Sequence, residues 1–285
     1  MQYVPSLISQ LAPTHTHLVH RWLYQKVGIL HRDLSLTNIM CRMVDKQVYG
    51  VLTDFDLLSW MASLTGDYTK TSQQRTGTPP YMVYGLLKGT DAVHLYRHDL
   101  ELLFYIMLIL ATHYKIAPLG RGKKKGGGLQ MRQQVGLSFR RWFNEQDYAT
   151  LGSLKSDFLS STGNIKLGLS PQFEDFGDWF RALRCAFHCG FMARGTQDDL
   201  VDEQKKNWNG RSGRNVIPPF DDKTLGGHVS YSALIDPARD LQGRFKGLVI
   251  CYESQPVHHV QTQGLSTRLK LTFEWLTNYV YDHVF

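Results

Sequence analysis

Apolar residues along the chain alternate between helical and strand-like spacing, and the alternation divides it into elements. Leu18, Val19, Trp22, Leu23 and Val27 form an approximate helical stripe with Gly28 as its stop. Val48-Tyr49-Gly50-Val51-Leu52 is a short apolar run with β-propensity, and Asn38 to Val44 reads as its hairpin partner, with Asp45-Lys46 in the turn. From Leu58 to Gln74 the chain turns polar, rich in Ser and Thr, which predicts a loop. A strongly apolar helix is predicted from Tyr96 to about Thr112. Its Leu102 to Ala111 stretch is only about half of the ~20 residues needed to cross a bilayer, so it reads as a buried helix. Leu129 to Phe143 and Phe173 to Met192 are amphipathic, and Trp142, Phe176, Trp179, Phe180, Leu183 and Phe187 recur at roughly helical spacing as core positions. Thr196 to Phe220, polar with Gly, Asn and paired Pro, predicts a long loop. Leu248 to Tyr252 has β-propensity but is too brief to assign, and Thr272 to Phe285 is aromatic-rich and helical in pattern. The sum predicts a mainly α fold with a small β component, in the α+β class.

Composition narrows the class further. A chain of 285 residues, 42% hydrophobic and 12% aromatic, can bury a large core in one or two domains. The net charge of +7 and pI near 9.2 give a mildly basic surface. Part of that charge is local, in Arg121-Gly122-Lys123-Lys124-Lys125-Gly126-Gly127-Gly128. No stacking aromatics are interleaved there, so a solvated loop is expected and a nucleic-acid partner is not. The four cysteines are scattered, as reduced intracellular thiols are. Cys185-Ala186-Phe187-His188-Cys189 lies in a helical pattern and lacks a second ligand pair, so it is expected on a core helix face. His15, His17, His20 and the pair His258-His259 have no acids or cysteines at ligand spacing and are expected at the surface. Met1-Gln2-Tyr3-Val4-Pro5 has neither the basic flank nor the long apolar core of a signal sequence. With no spanning segment either, no membrane partner and a cytoplasmic or nuclear location are expected.

One stretch carries chemistry. His31-Arg32-Asp33-Leu34-Ser35-Leu36-Thr37-Asn38 places an Asn five residues after an Asp, and Thr53-Asp54-Phe55-Asp56 puts a second Asp at the end of the second hairpin strand. Phosphoryl transfer needs a group to accept the attacking hydroxyl's proton and oxygen ligands for the Mg²⁺ on the phosphates. In the pattern H-R-D-x-x-x-x-N the Asp takes the first task and the Asn the second. In that pattern Asp33 would be the catalytic base and Asn38 and Asp54 the metal ligands. No specific ATP-binding side chain is identified.

With these motifs, Arg75-Thr76-Gly77-Thr78-Pro79-Pro80-Tyr81-Met82, Tyr96-Arg97-His98-Asp99-Leu100-Glu101 and Leu225-Gly226-Gly227-His228-Val229 make the chain resemble the fungal-type protein kinase domain, from roughly Leu18 to Leu234. The resemblance implies a protein-kinase-like C-terminal lobe over residues 1–240, without a complete N-terminal lobe, and an extension of uncertain structure over 241–285. It implies phosphorylation of a protein Ser or Thr, with ATP and Mg²⁺ as the cofactors. Thr78 would sit in the activation segment, its hydroxyl bonded to Asp33 in the substrate site. His31, Arg32 and Asp99 would support the catalytic loop, Asp99 by accepting its backbone N–H groups; a simple N-cap is the plainer role for Asp99. Arg32 would be either a surface residue or a partner for a phosphorylated loop. Thr65, Tyr68, Thr69, Thr71 and Ser72 are possible phosphosites or plain solvent-facing hydroxyls.

The departures bear on activity. Ser35 stands where such kinases usually carry a Lys that contacts the transferring phosphate, and Asp56 replaces the Gly of Asp-Phe-Gly. Gly85 stands where a Glu usually anchors the activation segment through a buried ion pair, and that anchor is expected to be lost. Upstream of His31 there is no Gly-rich loop and no strand Lys, and Lys26 is the only Lys. The ATP phosphates would be held from one side only. The chain is therefore expected to be truncated and inactive in isolation, with a pseudokinase-like binding module as the alternative and a small-molecule kinase behind it.

Overall fold

The computed structural model describes residues 19–44, 47–60, 77–89, 91, 93–116, 129–131, 137–161, 165–206 and 217–234. Contacts divide the chain into two compact units, Met1–Leu248 and Val249–Phe285, and every described residue lies in the first. The activation-loop hydroxyls, the basic 121–128 stretch and everything expected after Leu234 lie outside the described residues.

The fold is mainly helical with small sheets, as the pattern predicts. Residues 19–22 form helix α1, which widens into a π-helical turn, Leu23–Val27. Gly28 ends it at φ 77°, a left-handed cap that a glycine adopts without Cβ strain. Strand β1 (Ile29–Leu30) pairs antiparallel with β4 (Ser59–Trp60), and β2 (Ile39–Val44) pairs with β3 (Gln47–Leu52) in the predicted hairpin, Ile39 opposite Leu52. The two pairings bracket the segments 31–38 and 53–58 and bring them side by side.

Helix α2 (Tyr84–Lys88) precedes α3 (Tyr96–His113), whose eighteen residues are all buried. A helix apolar on every side has to be wrapped by other elements. Here Phe104 stacks on Phe158 and Phe187, and Tyr105 meets Trp142 edge to face at 5.1 Å. Strands β5 (Tyr114–Ile116) and β6 (Leu129–Met131) form the third two-stranded sheet. Helices α4 (Arg141–Asn144), α5 (Tyr148–Ser160) and α6 (Gly177–Lys206) complete the core. The predicted aromatics Trp142, Phe176, Trp179, Phe180 and Phe187 are buried, with Leu183 among them.

Four expectations need correction. The amphipathic run from Leu129 to Phe143 is not one helix, because β6 takes its start and Phe139, at φ 62°, breaks helical geometry before α4. Helix α6 continues to Lys206, well into the expected loop, carried by helix formers with a Lys205–Asp202 pair at 2.9 Å. Cys185 is exposed and Cys189 half-buried, so they lie on an outer face of α6 rather than in the core. His20, expected at the surface, is fully buried.

Candidate functional site

The site is organised by Asp99, in the first turn of α3 and fully buried. Its Oδ2 accepts the His31 backbone N–H at 3.0 Å and His20 Nε2 at 2.7 Å. Its Oδ1 accepts the Arg32 N–H at 3.2 Å and His94 Nε2 at 2.7 Å. Burial alone would raise this carboxyl's pKa, but the two imidazoles outweigh burial and hold it well below the usual carboxylate range. Asp99 thus joins the backbone of the loop 31–38 to the most buried helix.

His31 carries the next link. Its Nδ1 accepts the Asp33 N–H at 3.4 Å, which leaves the ring proton on Nε2 for the Thr53 carbonyl at 3.0 Å. Burial, the largest effect, pushes its pKa down and keeps the ring neutral. The Phe55 ring lies against it with centroids 4.7 Å apart. One side chain therefore fixes the relative placement of the loop and of the segment that bears Asp54.

Asn38 closes the loop. Its Nδ2 donates to the Asp33 carbonyl at 2.8 Å, its N–H to the Ser35 carbonyl at 3.1 Å, and its own carbonyl accepts the Thr53 N–H at 2.9 Å. With Nδ2 committed inward, Oδ1 takes only the Thr37 hydroxyl, at 3.3 Å. Two residues of this site carry left-handed backbone: Arg32 at φ 71° and Asp54 at φ 61°. For a non-glycine residue this costs on the order of 1–2 kcal/mol, and such outliers gather at functional sites. Asp54 is exposed, whereas Asp33 is half-buried and its Oδ1, shielded from solvent, has no hydrogen-bond partner among the described residues. Buried polar atoms are rarely left so, and here the free atom is an acceptor.

Gly77 brings its segment against Asp33, since a Cβ on it would stand 3.8 Å from Asp33 Oδ1. Thr78 is half-buried in the turn that follows, where its carbonyl accepts the Tyr81 and Met82 N–H groups. Its hydroxyl is not bonded to Asp33, unlike the expectation from resemblance. The Ser35 hydroxyl is buried and paired with Thr37 at 2.7 Å, so that position offers no charge to a phosphate.

Further residues shape this region that motif reading did not find. The fully buried Lys155 donates to the carbonyls of Pro80 (2.9 Å) and Met82, and its ammonium faces the Tyr105 ring at 4.1 Å. Burial pushes its pKa well below the usual lysine value, opposed by Glu101. Glu101 accepts the Tyr84 N–H at 2.8 Å and the Tyr105 hydroxyl at 2.7 Å, and burial, the dominant effect, raises its pKa. Residues 217–234 reach the same hub: Tyr231 bonds His20 Nδ1 at 2.8 Å, and Arg97 Nε donates to the Asp222 carbonyl at 2.6 Å. The sequence signal available for Glu101 was a charged residue inside an otherwise apolar helical run, whereas Lys155 lies among Ser, Thr and Asp in α5 and carried no such signal.

Among the described residues no three His, Cys, Asp or Glu side chains gather as a metal site. A divalent ion here would depend on the exposed Asp54 carboxylate, the Asn38 amide oxygen and oxygens of a phosphate ligand, an all-oxygen donor set of the kind that suits Mg²⁺.

These contacts define an α+β protein in which an Asp-bearing loop, the end of a β-hairpin and a buried helix-opening carboxylate meet at one place. Over residues 16–111 the chain matches the family model for fungal protein kinases, which supports the resemblance read from its motifs across that stretch. No curated protein matches it. Among the described residues, no helix is long and apolar enough to cross a membrane.

Proposed function

We propose that this chain carries the catalytic half of a protein-kinase-type phosphotransferase site, for transfer of the terminal phosphoryl group of ATP to a protein Ser or Thr hydroxyl. The carrying observation is the unpartnered Oδ1 of Asp33, on a loop whose backbone N–H groups are fixed by Asp99. In this reading Asp33 accepts the proton of the attacking hydroxyl, and the fixed backbone keeps it aimed without reorganisation. Asn38, locked through Nδ2, would offer Oδ1 to Mg²⁺ together with the exposed carboxylate of Asp54. The bound ion would neutralise charge on the phosphates. His31 and Phe55 hold the two metal-binding segments together. These residues approach a nucleotide from one side, so the opposite side would be supplied by groups outside the described residues.

The second reading is a pseudokinase-like binding module. It is favoured by the inward-turned Ser35, which leaves the loop without a cation for the transferring phosphate.

A thermal-shift titration of the full chain with Mg-ATP, alongside Asp54→Asn and Asp33→Asn, separates them. The catalytic reading expects a shift that depends on magnesium, is lost in Asp54→Asn and survives in Asp33→Asn. In a transfer assay on a generic Ser/Thr-containing protein, Asp33→Asn should then cost roughly 10²–10⁴-fold. No shift at millimolar Mg-ATP would sink the catalytic reading and leave the binding module.

A further inference from the structure

The loss of an acidic side chain at residue 85 is answered elsewhere in the fold. A Cβ built on Gly85 would lie 1.6 Å from Asp91 Oδ2 and 2.6 Å from its Cγ. The Asp91 carboxylate therefore occupies the space that a side chain on residue 85 would enter. The Asp91 N–H donates to the Gly85 carbonyl at 3.3 Å, so the chain folds back on α2 to place it there.

That carboxylate is held from two helices. Arg194 Nη1 of α6 donates to Oδ1 at 2.5 Å, Arg97 Nη2 of α3 forms an ion pair with Oδ2 at 3.0 Å, and His98 Nε2 donates to Oδ2 at 3.0 Å. His98 Nδ1 accepts the Leu95 N–H at 2.9 Å, which places its proton on Nε2, toward Asp91. The Asp91 side chain is only 4% exposed, and Arg97 is buried beside it. The same segment is gripped by Lys155 at Pro80 and Met82, upstream of α2, and by Glu101 at Tyr84, the first residue of α2. Gly77, at its start, lies beside Asp33, where an added Cβ would stand 3.8 Å from Oδ1.

We propose that Asp91 is the anchor of the segment 77–89, a carboxylate moved from residue 85 to residue 91 that ties this segment to α3 and α6 and thereby positions the chain beside Asp33. Gly85 and Asp91 act as one unit, because the first has to lack a side chain for the second to fit. Asp91 is a positioning residue, since it touches no reacting atom. Its effect on transfer rests on the phosphotransferase reading above, whereas the anchoring does not.

The test is hydrogen exchange on the full chain, comparing peptides from 77–89 with peptides from α5. Asp91→Ala should speed exchange in 77–89 by at least about tenfold while α5 keeps its protection. Gly85→Ala should do the same, although alanine is the better helix former, because its methyl expels the carboxylate. The double variant Gly85→Glu with Asp91→Gly, which returns the acid to residue 85, should restore protection relative to Asp91→Ala. Unchanged exchange in Asp91→Ala, or a double variant as unprotected as that single one, would overturn the proposal. Should Asp91→Ala not fold, Arg194→Met removes the bond from the half-exposed side. Loosening confined to 77–89 then supports the anchor, and an unaltered segment refutes it. None of these outcomes needs activity, so a protein that fails to bind Mg-ATP but shows this exchange pattern loses the phosphotransferase reading and keeps the anchor.

Discussion

The Tyr231 hydroxyl bonds His20 Nδ1 at 2.8 Å, across 211 residues of chain. With the hydroxyl donating, His20 donates its Nε2 proton to Asp99, so residues 217–234 and α1 are both wired to the carboxylate that holds the loop bearing Asp33. Tyr231 also stacks on Tyr96 with centroids 5.6 Å apart, and Tyr96 donates to the Val229 carbonyl at 3.2 Å.

Tyr231→Phe keeps that stacking and removes one hydroxyl. It leaves His20 Nδ1 buried and unpaired, at a cost of about 1–3 kcal/mol. Urea unfolding should report a lower midpoint with an unchanged slope; an unaltered midpoint would show that the bond contributes nothing net.

Asp99→Asn preserves shape but removes the charge that two imidazoles and two backbone N–H groups converge on. Breaking such a buried network should cost about 3–5 kcal/mol. The expected result in differential scanning calorimetry is a large fall in Tm or failure to fold, far beyond the ~1 kcal/mol typical of losing a helix N-cap.

Gly190→Ala sets two effects against each other. Alanine in mid-helix gains about 1 kcal/mol of propensity. Its methyl would lie 2.6 Å from the Leu225 Cβ, and overpacking of this kind costs about 1–3 kcal/mol. Leu225 cannot retreat easily, because it is fully buried and leads three consecutive left-handed residues at φ 50°, 67° and 90°. The net change should be destabilising by urea titration, and a stabilised variant would mean that 217–234 shifts freely on α6.

Acid should destabilise the fold beginning near neutrality. Burial, the largest effect, pushes the His98 pKa from 6.5 down to about 3 and also lowers that of His31. The unfolded chain thus binds these protons first, so their contribution is full above pH 6.5 and is lost as pH falls toward the folded values. Each can add a slope of up to ~1.4 kcal/mol per pH unit. The depressed carboxyls of Asp91 and Asp99 act in the same direction below about pH 4, while Glu101, raised above its ordinary value, partly offsets the histidine effect above about pH 4. Urea midpoints at pH 7.5, 6 and 5 should fall progressively, and His98→Gln should flatten the decline.

Some of this was legible because its periodicity is local. The β2–β3 hairpin, with its turn, and the apolar α3 announce themselves within about twenty residues of sequence. The spacing of Asp33, Asn38 and Asp54 is local too, since only a hairpin separates them. What stayed hidden depends on distant partners. His20 has no ligand or acid near it in sequence, yet Asp99 lies 79 positions away and buries it. Lys155 reads as a surface lysine of an amphipathic helix until the carbonyls of Pro80 and Met82 arrive from 75 and 73 residues upstream. Gly85 was legible as a missing acid, but its replacement was not, because the space at a glycine is visible only once Asp91 stands in it.

The four donors on Asp99 also decide how the protein can breathe. The amides of His31 and Arg32 sit in a loop, where exchange is ordinarily fast, but their acceptor belongs to a helix that is buried along its whole length. Releasing them requires a charged carboxylate to lose its partners inside the core, an opening comparable in cost to unfolding that core. The loop that bears Asp33 therefore shares the stability of the deepest helix, and its amides should be among the slowest to exchange in the molecule.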